Sequence, residues 1–567
     1  MMNRAKRLPR LSARSLLPLL ALLQLARTQL PICDDVPRLW PQPAIIESPA
    51  AVGLRLNAST FAITQRGDSD VLRWNVQYYQ RELFSRPIDK RLADPILDAA
   101  AVPLEELQIV IHDSNSGNSS WPSLGMDESY EIKLGSPTAN LTARSVWGAI
   151  RGLETFSQLL GMNGDFVIRG NASRMRIVDR PRFEWRGVML DPARHFLSVA
   201  EIKRQIDAMA QNKLNALHLH LTDGESFTVN SENWDSYSNL STFGAYHPSL
   251  TYTPADITAI VDHGRLRGVR VVPEFDMPAH MASWAQGYPQ LIADCPTVNP
   301  YPQWPRYYSP ADVTHPDVLA VLNETLAQVG PLFPDPFWHV GGDEPHYDCW
   351  EADANISAYM ASEGIDAEGL YARFERRYSA LLRAHGKTAI GWEEIASKTG
   401  GGAGPDPAQT VVEVWQGNGA LYPFVEQGYS AIVSSNWYLN DGGSWTKYYR
   451  DDPVSYLPAN ATDAQKARVL GGEACMWNSA FDAQSNMEPA IWPNAAAMAE
   501  MLWSPAVEAS DDEARTRPSQ HRCRMVRRGV RASPIAEDFC SADLYVRKSR
   551  TFYYTGDFPS WPNTPGP

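Results

Sequence analysis

FWHVGGDE, residues 337–344, reads as a short apolar strand that runs into two glycines and then two adjacent carboxylates. Successive side chains on a strand point to opposite faces, so neighbouring acids share one site only where the strand turns into its loop. Gly341 and Gly342 permit that turn. The same build recurs along the chain in RGVMLD (186–191), LNALHLHLTD (214–223), VRVVPEFD (269–276), TAIGWEE (388–394), VVEVWQG (411–417), YSAIVSSNWY (429–438) and VLGGEACMW (469–477). Helix-compatible stretches separate these segments. Eight such units over roughly 320 residues predict an α/β fold, a (β/α)8 TIM barrel enlarged by insertions. Polar and aromatic residues gather at the C-terminal ends of the segments: Asp191, Asp223, Glu274, Asp276, Asp343, Glu344, Trp392, Trp415, Tyr438 and Trp477. A barrel places its active site at that end, so the pattern points to an enzyme.

The barrel is expected over residues 181–510. Residues 29–180 read as a smaller α+β domain: LQIVIHD (107–113) and SYEIKLG (129–135) look like strands. Val146, Ile150, Leu153, Phe156, Leu159 and Leu160 follow a helical period. Residues 511–567 read as a helical tail with a loosely held, Pro- and Trp-rich end at 553–567.

At 567 residues, with 44% hydrophobic and 20% charged side chains, the chain is an ordinary globular sequence and not a disordered or fibrous one. Its 51 basic and 65 acidic residues give a formal charge of −14. So acidic a surface repels phosphate backbones, and no basic stripe stands out, which excludes nucleic acid as a partner. The 18 Trp exceed what packing asks of such a core and suit stacking on sugar rings.

Residues 1–28 read as a signal peptide. Arg4, Lys6, Arg7, Arg10 and Arg14 precede an apolar run at 16–26 that is too short to span a bilayer, and Ala26 and Thr28 supply a small-x-small site. After cleavage no membrane segment remains. Asn-x-Ser/Thr sequons at Asn57, Asn118, Asn140, Asn171, Asn239, Asn323, Asn355 and Asn460 are the expected glycosylation sites of a chain in the secretory pathway, bound for the extracellular space or a lysosome- or vacuole-like compartment. There, cysteines form bridges more readily than metal sites. Cys523 and Cys540 flank a basic turn and are expected to close a local loop. Cys475, inside GGEACMW, reads as a buried free thiol.

The Asp343-Glu344 pair is the sharpest chemical feature. Crowding two carboxyls raises the pKa of one, which then stays protonated as an acid near neutrality. Glycosidic cleavage needs such an acid and a second group that stabilises a cationic sugar. A solvated Asp-Glu turn is the plain alternative, weakened here by the apolar strand and diglycine in front of it. Arg194, in DPARH (191–195), offers a fork of donors to sugar hydroxyls. Trp392, Trp415, Trp477 and Tyr438 end four different segments and are expected to form a cage for a flat or apolar substituent such as an acetamido methyl. His218-x-His220 with Asp223, plus His280 and His339, raises a metal-dependent hydrolase as a rival. Strand position gives these histidines a packing or hydrogen-bonding role equally well, and no metal or other cofactor is expected.

These segments together resemble the family 20 glycoside hydrolases, in particular the eukaryotic β-N-acetylhexosaminidases. The resemblance runs through WPQP (40–43), DESYEI (127–132), VWGAIRGLETFSQL (146–159), RGVMLDPARHFL (186–197), NKLNALHLHLTD (212–223), GVRVVPEFDMPAH (268–280), HVGGDE (339–344), WYLN (437–440), GGEACMW (471–477) and HRCRMVRRGV (521–530). It implies substrate-assisted retaining hydrolysis of a carbohydrate, an exception to the usual two-carboxylate scheme. On this resemblance Glu344 is the acid and base, Asp343 holds the acetamido N–H and Tyr438 the acetamido oxygen. Trp392, Trp415 and Trp477 wall the site, Arg194 and Asn440 contact the sugar, and Asp223 and His280 support Glu344. The resemblance also implies the bridges Cys295–Cys349 and Cys523–Cys540, leaving Cys33 unpartnered, and association into a homodimer.

The chain departs from the family's pattern in three places. Trp-x-Glu becomes Trp477-Asn478-Ser479, Pro-Gly-His becomes Pro278-Ala279-His280, and Asp223 is followed by Gly224-Glu225. The first motivates an alternative, a sugar-binding homologue with altered specificity or lost turnover.

Overall fold

Trp185–Leu190 buries all six of its residues, and Ala216–His220, Arg270–Glu274 and Thr410–Val414 are equally covered on both faces. Strands covered on both sides belong to a parallel sheet flanked by helices. In the computed structural model they do: those four and Phe337–His339, Thr388–Trp392, Ser430–Val433 and Val469–Met476 close into an eight-stranded parallel barrel. Each strand pairs with the next in sequence, and the last returns to the first with Leu190 opposite Met476. The structure describes residues 38–547 apart from 50, 68, 86–99, 113–120, 161–165, 169–170, 301–308, 400–403, 484, 506–510, 536–537 and 541–544. The leader at 1–28, Cys33, Asn118 and the end at 553–567 lie outside the described residues.

Helices follow the strands for local reasons. Ser198 and Glu201 form a capping box at the start of helix Val199–Gln211, and Thr253 and Asp256 form another at helix Pro254–Arg265. Each satisfies two N–H groups that the helix leaves without partners.

Inside the barrel the residues alternate as the pleat requires. Trp185, Ala216, Val272, Ile390, Val411 and Ile432 form an apolar cluster, and Met189, Trp392 and Cys475 form a second at the C-terminal mouth. Buried among them is a polar set. Glu473 Oε1 lies 2.7 Å from His218 Nδ1, whose Nε2 lies 2.9 Å from Glu274 Oε2; that oxygen is 2.5 Å from His220 Nδ1. Trp185 Nε1 also donates to Glu473. Gly187 is required here, because a Cβ would come within 2.2 Å of Glu473 Oε2.

Before the barrel, strands Ile45–Glu47, Arg176–Asp179, Tyr130–Lys133, Thr138–Ala143, Glu106–Ile111 and Ala62–Arg66 lie side by side in that order as one mixed sheet. Helix Val146–Leu159 is buried along its whole length, capped by Ser145. It lies between this sheet and the barrel. Arg151 reaches from it to the backbone oxygens of Leu214, Arg267 and Gly268, and shares Glu128 with Arg186 of the first barrel strand.

Helix Asp511–Arg527 folds back over both units. Arg517 pairs with Glu500 and donates to the Leu39 carbonyl, while Arg528, just beyond the helix, grips Glu82 and Glu154. Cys523 and Cys540 are bonded. Among the described residues, no helix is long and apolar enough to cross a membrane.

Candidate active site

The fourth strand ends at His339, and the backbone then turns through left-handed conformations: φ is +71° at Gly341, +98° at Gly342 and +52° at Glu344. A non-glycine residue at positive φ is uncommon and persists only when its surroundings fix it. Here they do. The Gly342 N–H donates to Asp276 Oδ1 at 3.0 Å, and its carbonyl accepts the Tyr371 hydroxyl at 2.6 Å. A Cβ on Gly341 would fall 1.8 Å from Asp276 Oδ1. Asp343 and Glu344 thus reach one site although they are adjacent in sequence.

His280, also at positive φ (+56°), stands between them and the second strand. Its Nδ1 lies 3.2 Å from Asp223 Oδ1; its Nε2 lies 3.6 Å from Asp343 Oδ2 and 3.5 Å from Glu344 Oε2. Burial disfavours a charged ring, but Asp223 and Asp343 outweigh burial and hold His280 well above the ordinary histidine range. The sequence left open which of the two crowded carboxyls is raised. The hydrogen bond from His280 lowers the Glu344 carboxyl below its usual value, and its side chain is 53% exposed. It is Asp343, buried and next to Glu274 and Glu344, that is raised. Crowding does push one carboxyl up, but a neighbouring imidazolium decides which one. The bridge Cys295–Cys349 ties the stretch that follows helix Ala282–Gly287, beyond His280, to helix Tyr347–Ala352, just after Glu344.

Asp223 is the hub of the other half. Its Oδ2 accepts from His220 (2.8 Å) and Arg194 (2.6 Å), and Gly224 N–H and His280 reach Oδ1. Arg194 also pairs with Asp191 at 3.1 Å, lies 3.8 Å from Glu225, and stacks over Trp477 at 4.9 Å. Much of its fork is therefore engaged within the protein, so it orders the site as well as facing it. Glu225 is pushed up to about 7 by burial and by Asp223.

The aromatic residues converge. Trp392 and Trp477 centre 5.7 Å apart, Tyr438 and Trp477 6.3 Å, and Trp415 stacks on Tyr438 at 6.3 Å with the rings only 6° from parallel. Tyr438 lies five residues past its strand but is clasped to the last one: Leu439 N–H donates to the Cys475 carbonyl, and Cys475 N–H to the Trp437 carbonyl. Cys475 is a free, buried thiol. Asn440, half-buried, follows this clasp. Glu394 was not foreseen in the site. It accepts from Trp415 Nε1 (2.9 Å) and Gln416 Nε2 (2.6 Å), fixes the indole, and is pushed up to about 7 by burial and Asp343. The sequence signal was present in WEE, but its partners lie 21 and 22 residues on.

Both nitrogens of His218 and of His220 face carboxylate oxygens, which accept, and the neighbouring acids hold both rings above the ordinary histidine range, so their N–H groups are turned on Glu473, Glu274 and Asp223 within the barrel. These contacts serve hydrogen bonding and charge pairing.

The catalytic-domain model of glycosyl hydrolase family 20 matches residues 183–506, and a β-acetyl-hexosaminidase-like model matches residues 39–159. The chain belongs to glycosyl hydrolase family 20. It is 36% identical over 521 residues to the β-hexosaminidase subunit beta of Mus musculus, covering 89% of this chain and 93% of that protein. It is 34% identical over 437 residues to the subunit alpha of Rattus norvegicus, covering 75% and 79%. A chitobiase structure from Flavobacterium johnsoniae is similar at 27% identity and TM-score 0.74, over 87% of this chain and 73% of that one. This family 20 member is a glycoside hydrolase, a β-N-acetylhexosaminidase acting on a carbohydrate.

Proposed function

We propose that the enzyme removes terminal GlcNAc or GalNAc from the non-reducing ends of glycoconjugates or chitin oligosaccharides, using the substrate's own acetamido carbonyl as nucleophile. The observation that carries this reading is His280 bridging Asp223 to Asp343 and Glu344, with Arg194 joining Asp223 to Trp477 of the aromatic wall. Glu344, the most exposed acid of the set, protonates the departing oxygen, and the acetamido carbonyl closes on C1 to form an oxazolinium ion. Asp343 accepts the acetamido N–H, whose positive charge grows as the ring closes, and the Tyr438 hydroxyl donates to the acetamido oxygen. Glu344 then takes a proton from the water that opens the intermediate with retention. Arg194 and Asn440 meet the sugar hydroxyls.

Release of p-nitrophenol from its β-N-acetylglucosaminide, with little or no release from the β-glucoside, is the expected result, and it survives EDTA. Equal turnover of the glucoside overturns the assisted mechanism. Tight sugar binding without release favours instead a binding homologue. Ser479, which motivates that second reading, sits exposed on a short turn at 478–480, next to Asn478, whose N–H donates to Asp191.

The same proposal extends to location and assembly. Sequons at Asn57, Asn140, Asn239, Asn323, Asn355 and Asn460 are exposed, as glycan acceptors must be, whereas Asn171 is half-buried and spends its amide on Ser48 and Ala51. With the two disulfides this supports the secretory route. The words subunit alpha and subunit beta in the relatives' names support association with a second copy, checked by mass in solution.

A further inference from the structure

Asp276 is a buried acid for which the reaction as described has no use. It follows the third barrel strand, is 1% exposed, and accepts the Gly342 N–H at Oδ1. Its Oδ2 is buried and meets no protein donor among the described residues. Oδ1 of Asp343 is in the same position, and the two carboxyls are hydrogen-bonding neighbours. Two carboxylates in contact and out of water cannot both remain ionised. A single proton between them removes the repulsion and gives each orphaned oxygen a partner.

The surroundings of the two carboxyls favour Asp276 as the holder of this proton. Asp343 has an imidazolium near its other oxygen, with His280 Nε2 3.6 Å from Oδ2. Asp276 faces Asp343, Glu274, His280 and His220; burial and the two acids outweigh the two histidines, so its carboxyl is held well above the usual aspartate range. The backbone closes over it at Gly341, which fixes its orientation.

We propose that Asp276 is a positioning residue: as a neutral acid it donates a hydrogen bond from Oδ2 to Oδ1 of Asp343, keeping Asp343 ionised and aimed at the acetamido N–H. The proposal rests on the role given to Asp343 above.

The test compares Asp276→Ala, Asp276→Asn and Asp343→Asn on p-nitrophenyl β-N-acetylglucosaminide, with thermal unfolding of each. Asparagine accepts the Gly342 N–H at Oδ1 and donates from Nδ2, as the protonated aspartate does. A lost hydrogen bond to a charged group corresponds to about 10–100-fold, so Asp276→Ala should lose that much in kcat. Its KM should stay within about threefold, and Asp276→Asn should recover most of the loss. Asparagine as damaging as alanine, or both variants as active as the parent, overturns the proposal. If Asp276→Ala does not fold, a loss above about tenfold in a folded Asp276→Asn overturns it and a smaller loss supports it. Asp343→Asn separates the two readings. Should it cost nothing, the role of Asp343 itself is wrong; should it cost activity while the Asp276 variants do not, only the present inference fails.

Discussion

Nε2 of His280 stands 3.5 Å from Oε2 of Glu344, while Nδ1 of the same ring stands 3.2 Å from Oδ1 of Asp223. The acids around it hold the His280 ring well above the ordinary histidine range, and the ring in turn holds the Glu344 carboxyl below its usual value, so imidazolium and carboxylate favour each other.

The first prediction follows from that pair. A carboxyl held below its usual value keeps its proton only at low pH, so activity that needs protonated Glu344 falls as pH rises through that lowered value. The alkaline limb of kcat/KM, which reports the free enzyme, therefore lies on the acid side. His280→Gln removes the charge that lowers Glu344 and moves the limb to higher pH. A limb that stays put or moves down contradicts this coupling.

Glu344→Gln should cost on the order of 10²–10⁴-fold in kcat on substrates with poor leaving groups. Activated aryl glycosides need less protonation and should suffer less. Equal loss on both classes removes Glu344 from the role of acid.

Gly341→Ala introduces a methyl where Asp276 Oδ1 already stands 1.8 Å away, at a φ of +71°. The left-handed backbone alone costs roughly 1–2 kcal/mol for a residue with a Cβ, and the clash adds to it. The variant should unfold at lower urea and, where folded, lose more in kcat than in KM, because the displaced Asp276 sits beside Asp343. An unchanged urea midpoint argues against the packing described.

Ser479→Glu restores the carboxylate that the family usually carries two residues after this tryptophan. A charge-assisted bond to a sugar hydroxyl is worth roughly 1.5–3 kcal/mol. Neutral GlcNAc substrates should gain in kcat/KM and 6-sulfated ones should lose, through like-charge repulsion. Discrimination between GlcNAc and GalNAc should be modest in the parent. If all ratios stay within about twofold, position 479 does not touch the terminal sugar.

All eight barrel segments were legible because each is an apolar run ending in chemistry, and periodicity survives without knowledge of partners. Their lengths were less so. FWHVGGDE stops being a strand at His339, since two glycines free the backbone to bend before the acids. The polar interior was visible as His218, His220 and Glu274 but not as a network, because alternation tells which side faces inward and not who stands opposite. The direction of the Glu344 shift was hidden for the same reason. It is set by His280, which lies in the loop after a different strand. Glu394 and Asp276 were readable as acids near strand ends, yet their roles depend on Trp415 and Asp343, contacts that closure of the barrel creates.

Arg528 meets Glu154 at 2.9 Å across 374 residues of chain, with both side chains nearly buried. On the ribosome, residues before 160 emerge long before their counter-charge is made. At about 5–20 residues per second the delay is on the order of tens of seconds. Through that interval the sheet with helix Val146–Leu159 holds a carboxylate awaiting its cation, and the Leu39 carbonyl lacks the Arg517 donor. A stop codon shortly before Arg517 would spare every barrel strand and every acid at the mouth. It would nonetheless leave Glu154 and the Leu39 carbonyl without their partners, so the sheet unit is completed by the segment at 517–528 rather than by the catalytic one.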